Sequence, residues 1–151
     1  MKIKTKLLSE WKNWIETANI KNPFAVTLTM RQNLNGEKLD RIKAQRNMKH
    51  FLNLINKRFF GNAHRRYGKK VSVFPILEIS YSQRLHYHLI MENPDIDRDE
   101  EFKRIVLSEW LKTDFGYKES AIKKVYSSGW KNYMLRNLNM ASEVDIDNIH
   151  F

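Results

Sequence analysis

Apolar positions along the chain change period several times, and those changes divide it into elements. Residues 6–18 place Leu7, Leu8, Trp11, Trp14, Ile15 and Ala18 on one helical stripe, which Lys21-Asn22-Pro23 ends. Phe24 to Met30 is rich in β-branched and aromatic residues and reads as a strand. After a turn at Asn33-Leu-Asn-Gly36, Asp40 to Phe60 returns to the helical period. Met48, Phe51, Leu52, Ile55 and Phe59 take one face there, and Arg41, Lys43, Arg46, Lys49 and Lys57 point outward. Gly61 to Lys70 reads as a basic loop. Val71 to Ser80 and Leu85 to Glu92 are strands, and the short Tyr81-Ser82-Gln83-Arg84 connection predicts a hairpin. Asp99 to about Phe115 is a helix with an acidic first turn, ended by Gly116. Glu119 to Tyr126 reads as a fourth strand, although Ile122 and Val125 fall on opposite parities. Trp130 to about Met140 is a final helix capped by Ser128, and the acidic tail to Phe151 has no clear pattern.

The order is helix, then β-α-β-β-α-β, then helix. The inner part is the split βαβ, ferredoxin-like (RRM-like) arrangement of an α+β fold. It implies a four-stranded antiparallel sheet with helices on one face and the other face open. Strand parity then sorts the side chains. Phe24, Val26, Leu28 and Met30 on the first strand, Val71, Val73, Leu77 and Ile79 on the second, and Leu85, Tyr87, Leu89 and Met91 on the third turn toward the helices. Opposite them, on one open face, stand Thr27, Thr29, Glu78, His86 and His88.

The spacing of His86-Tyr87-His88 puts two imidazoles on that face, with Glu78 on the neighbouring strand of the hairpin. Two histidines and a carboxylate suit a borderline divalent ion such as Mn²⁺, and accept Mg²⁺, Co²⁺, Ni²⁺ or Zn²⁺. Such an ion acts as a Lewis acid on a phosphodiester. On the last helix Trp130, Met134 and Leu138 form the inward stripe, with Tyr133 at its polar edge and Arg136 close by around the axis. A phenol there is a candidate nucleophile or a rim residue packing its ring; the helix alone leaves both open.

Composition narrows the chemistry. The absence of cysteine excludes disulfides, thiolate ligands and thiol catalysis. A net charge of +10 on 151 residues favours a polyanion, nucleic acid before membrane. No apolar run is long enough to span a bilayer and no secretory leader is visible, so an intracellular, cytoplasmic protein without a membrane partner is expected.

Phe24-Ala-Val-Thr-Leu-Thr-Met30, then Glu78 with His86-Tyr87-His88, then Gly129-Trp-Lys-Asn-Tyr133-Met-Leu-Arg136 resemble the three motifs of the HUH endonucleases, and more narrowly the rolling-circle replication initiators, the Rep branch. The motifs run in the family order over residues 24–136. The resemblance implies one domain over 1–151, with 1–22 as a helical extension and 23–140 as the core. It implies Glu78, His86 and His88 as ligands of Mn²⁺ or Mg²⁺, and Tyr133 as the single nucleophile that nicks and rejoins single-stranded DNA. A 5′-phosphotyrosine and a free 3′-OH would result. Arg136 stands where many members have lysine, keeping the charge without a readily lost proton.

Tyr126 lies seven residues before Tyr133, outside the helix that would make a two-tyrosine enzyme. The implied partners are an origin strand, expected in a stem-loop, and a host helicase and polymerase. Thr27, Thr29, Arg31, Arg65, Arg66, Lys69 and Arg84 are the candidate DNA contacts, and Tyr67, Phe74 and Trp11 candidates for base stacking. Single-strand transposases and mobilisation relaxases share this chemistry, although Arg136 and Glu78 favour the Rep branch. A non-catalytic nucleic-acid-binding domain on the same fold is the alternative from another class.

Overall fold

The computed structural model describes residues 2–79, 84–126, 129–138 and 141–151, with side chains from Ser9 onward. The expected hairpin connection at 81–83 and the Ser128 cap lie outside the described residues. The elements run α1 (Lys2–Thr17), β1 (Pro23–Met30), β2 (Asn33–Leu34), β3 (Glu37–Lys38), α2 (Arg41–Phe60), α3 (Asn62–Tyr67), β4 (Val73–Ile79), β5 (Leu85–Glu92), α4 (Asp99–Leu111), β6 (Gly116–Lys124), α5 (Gly129–Asn137), β7 (Ser142–Val144) and a 3-10 turn at Ile146–Asn148.

Five strands form one antiparallel sheet in the order β6-β1-β5-β4-β7. Its first four positions are the ferredoxin-like order. The fifth strand comes from the acidic tail, whose three-residue length hid it in the sequence. Asp40 caps α2 by accepting from the Lys43 N–H at 2.8 Å. Asn35 and Gly36 both take positive φ, 51° and 84°, which closes the tight β2–β3 hairpin.

Two expected boundaries move. The basic loop contains α3, closed by Gly68 in the left-handed region. Gly116 does not end α4; it opens β6. A Cβ there would lie 1.9 Å from the Trp110 carbonyl oxygen and 2.7 Å from Thr113 Oγ1, so only glycine permits this approach of strand to helix end.

One sheet face is apolar along its whole length. Phe24, Val26, Leu28, Met30, Val73, Leu77, Tyr87, Leu89 and Met91 pack beneath α2 and α4, which contribute Met48, Phe51, Ile55, Phe102, Val106 and Trp110. The other face is not fully open, as the parity reading had it. Ala25, Phe74, Ile76 and Ile90 form a second core with Ile15 and Trp11 of α1 and Trp130 and Met134 of α5. Phe74 is fully buried there, its ring 5.8 Å from Trp11 and 5.6 Å from Trp14. Phe74 is therefore not available to stack on a base, and Trp11 is engaged in the same cluster. The discordant parity of Ile122 and Val125 has the same explanation, because each packs into a different core.

Candidate metal and nucleophile site

Strand register builds the site rung by rung. Ala25, Ile90 and Phe74 form an apolar rung, Thr27, His88 and Ile76 a mixed one, and Thr29, His86 and Glu78 a polar one. Successive rungs are about 6.6 Å apart along the strands. The helices α1 and α5 cover the apolar rung, and the polar side chains begin where that cover ends. α5 delivers Tyr133 to this boundary because Trp130 and Met134, its neighbours on the helix, are buried in the second core.

Glu78, His86 and His88 each offer one ligand atom, and the three atoms lie within 4.8 Å of one another. Glu78 Oε2 is 3.1 Å from His88 Nε2 and 4.0 Å from His86 Nε2, and the two Nε2 atoms are 3.2 Å apart. The carboxylate oxygen is buried and, despite the short approach to His88, has no aligned hydrogen bond. A buried acceptor without a donor is costly. Convergent imidazole nitrogens beside it are the donor set that a divalent cation satisfies, so the residues fit a metal.

The nucleophile candidate sits one ring away. Tyr133 Oη lies 3.2 Å from His88 Nδ1 and 3.3 Å from Thr27 Oγ1, and Thr27 Oγ1 is itself 3.3 Å from the same Nδ1. Burial raises the Tyr133 pKa above its ordinary value, and Glu78 adds to the rise. The Thr27 hydroxyl and the Arg136 charge pull it back. Burial and the neighbouring His86 hold the His88 pKa below the usual histidine value, against the pull of Glu78. A neutral His88 is the form that ligates.

The other expected contacts divide by position. Thr29 donates its hydroxyl to the Glu119 carbonyl, and Arg31 and Arg84 lie exposed just beyond the ends of β1 and β5 beside the polar rung. Arg65, Arg66 and Lys69 belong to α3 and the residues after it, which lead into β4 at the end remote from Glu78. That separation is about 17 Å along β4 alone.

Two positioning residues carried no sequence signal. The Gln32 side chain donates to the Leu85 carbonyl at 2.9 Å and accepts from the Leu85 N–H at 2.8 Å, prolonging the β1–β5 ladder at the residue before His86. Asp145 accepts from the Tyr87 hydroxyl at 2.7 Å, tying the tail to the residue between the two histidines. A glutamine after a strand and an acid in an unpatterned tail look ordinary until the fold brings them there.

A family model described as replication-associated protein of the ORF2 type matches residues 23–139. Neither the curated proteins nor the solved structures contain a match.

Proposed function

The chain belongs to the ORF2-type family of replication-associated proteins, and on that premise we propose that it is an HUH-type strand transferase. It nicks and rejoins single-stranded DNA at a replication origin with Tyr133 as nucleophile and so initiates rolling-circle replication. The observation that carries this reading is the convergence of Glu78 Oε2 and the Nε2 atoms of His86 and His88, with the Tyr133 hydroxyl 3.2 Å from the far nitrogen of His88.

Glu78, His86 and His88 would hold Mn²⁺ or Mg²⁺, which supplies Lewis acidity toward a phosphodiester oxygen. With Nε2 of His88 turned to the metal, its Nδ1 keeps the proton and donates toward Tyr133 Oη. The Thr27 hydroxyl donates to the same oxygen, and Arg136 favours its anionic form. The Tyr133 oxygen attacks phosphorus and its proton leaves to water. The bond from phosphorus to the 3′ oxygen breaks, and that oxygen takes up a proton. The 5′ phosphate remains on Tyr133, and attack by a 3′-OH reverses the sequence and reseals the strand. Arg31 and Arg84 stand where a strand entering at the polar rung would pass its phosphates.

The test is denaturing gel and mass analysis after incubating the protein with a pool of single-stranded DNA and Mn²⁺. The expected result is a DNA adduct on Tyr133 that is lost in Tyr133→Phe and in His86→Ala. Retention of DNA without adduct under Mn²⁺, Mg²⁺, Co²⁺ and Zn²⁺ would overturn the assignment in favour of a binding domain.

A further inference from the structure

The net charge of the protein is confined to one stretch of it. Residues 41–77 hold ten of the 27 lysines and arginines and no aspartate or glutamate, so the rest of the chain holds seventeen of each sign and is neutral. This stretch is α2, α3 and most of β4, and its helices lie on the sheet face opposite the histidines. The polyanion-attracting part of the molecule and the proposed nicking site therefore face away from one another.

Within α2 the charge is ordered. Arg46, Lys49, His50, Asn53 and Lys57 are all exposed and follow one another along the helix. They form a single stripe about 17 Å long on the side opposite the buried Met48, Phe51 and Ile55. α3 then adds Arg65 and Arg66, with Lys69 and Lys70 following. The same face supplies its own control. α4 also carries many charges, but its acids and bases neutralise each other: Glu100 with Lys103 at 3.3 Å, Glu101 with Arg104, Glu109 with Lys112 at 3.0 Å, and Asp99 with Lys124 of β6 at 3.1 Å. Like charges three or four residues apart destabilise a helix by a few tenths of a kcal/mol per pair, roughly the worth of a helical ion pair. The α2 stripe bears that cost along its length with no carboxylate of its own to relieve it.

α3 sharpens the point because none of its residues is buried. It is held by the Gly68 cap, by His64 Nδ1 3.0 Å from the Lys69 carbonyl, and by Lys69 Nζ 5.2 Å from the Phe60 ring centre. It adds nothing to the core and presents cations in a fixed arrangement. Where stripe and α3 segment meet is a notch of about 90 Å³, whose lining includes Lys49, Asn53, Lys70 and His150. His150 Nδ1 is buried with no hydrogen-bond partner; Asp147 is the one carboxylate of the lining. A phosphate oxygen could meet donors there.

We propose that the α2–α3 face is a second nucleic-acid surface, and that it binds the backbone of duplex DNA. Single-stranded DNA is held by aromatic platforms under successive bases. The α2 stripe has no Phe, Tyr or Trp, and the exposed Tyr67 at the end of α3 makes no platform by itself. A line of cations on a rigid helix instead matches the regularly spaced phosphates of a duplex, which it holds without reading sequence. A helix thickness of about 10 Å and the sheet itself lie between this face and the histidines, so the duplex is held apart from the strand being cut. The choice of DNA as the polyanion rests on the function proposed above; the location and chemistry of the surface do not.

The experiment compares wild type with the triple variant Arg46→Gln, Lys49→Gln, Lys57→Gln by fluorescence anisotropy on a blunt DNA duplex and on an unstructured single strand, across a salt series. The variant is expected to bind duplex at least tenfold more weakly. Its plot of log affinity against log salt should flatten by roughly 0.9 per cation removed. Its melting temperature, its single-strand affinity and its adduct yield on single-stranded DNA should match wild type. The pair Lys49→Arg and Lys57→Arg should retain duplex affinity. Unchanged duplex affinity and slope would overturn the proposal, as would an equal loss on single-stranded DNA or binding of anionic phospholipid vesicles in place of duplex. Tyr133→Phe separates the two assignments: it should lose the adduct and keep the duplex. A wild type that shows the duplex effect without any adduct would sink the nicking reading alone.

Discussion

On the α2–α4 face the central strands are apolar from one end to the other, while on the α1–α5 face the same strands change character halfway. The first face needs only volume and shape, so periodicity in the sequence describes it completely. The second divides its length between holding down two helices and exposing a set of polar groups. Its apolar half and its polar half share one parity, so the alternation that separates the faces cannot separate the halves. Only register does that, by aligning Ala25, Ile90 and Phe74 in one rung and Thr29, His86 and Glu78 two rungs away.

The largest effects should come from the two buried tryptophans that anchor the faces. Trp110→Ala, on the uniform face, should cost about 3–5 kcal/mol and take metal binding down with the fold. Trp130→Ala should also destabilise, yet a folded fraction recovered at low temperature should bind metal on the sheet and form no adduct, because α5 no longer presents Tyr133. Urea unfolding paired with Mn²⁺ calorimetry reads both. Equal loss of metal affinity in the two variants would erase the distinction between the faces.

Next, Glu78→Gln should lower Mn²⁺ affinity about 100-fold, the upper range for loss of a group that supports a metal. The metal-free protein should unfold at slightly higher urea, since an unpaired buried carboxylate oxygen is removed. A metal-free variant less stable than wild type would mean that Glu78 serves the fold. Thr27→Val should leave stability within about 0.5 kcal/mol and slow adduct formation about tenfold, a loss in the range of a single positioned hydroxyl.

The smallest effect belongs to the uniform face. Burial raises the Asp145 pKa above its ordinary value, against the donors Asn148 and Tyr87. The folded state therefore binds a proton more readily than the unfolded chain. Stability from this group is greatest below the ordinary carboxylate range and falls as pH rises through the raised value. Asp145→Asn should be slightly more stable than wild type at neutral pH, with the gap closing in acid; thermal melts from pH 3 to 8 would show a constant gap if Asp145 titrates normally.

Much of this was readable in the sequence because the relevant physics is local. β5 spans the expected residues, α2 starts behind its Asp40 cap, and Glu78, His86 and His88 share a face by alternation alone. What was not readable depended on distant pairing. α1 had a stripe but no assigned partner until Phe74 and Ile90 were placed under it. β7 is too short to show alternation, and α3 is fixed by a cap and ring contacts without burying a face. The 3.2 Å approach of Tyr133 to His88 required both a helix position and a strand register.

Tyr87 stands between the two histidines and points the opposite way, its hydroxyl bonded to Asp145 in the buried tail. A one-residue slip in β5 pairing would turn both imidazoles into the apolar core and Tyr87 out to solvent, breaking the tail contact in the same event. Misregistered molecules would then lack the metal site and the tail lock together, so bound metal doubles as a proofreading mark for a correctly threaded sheet.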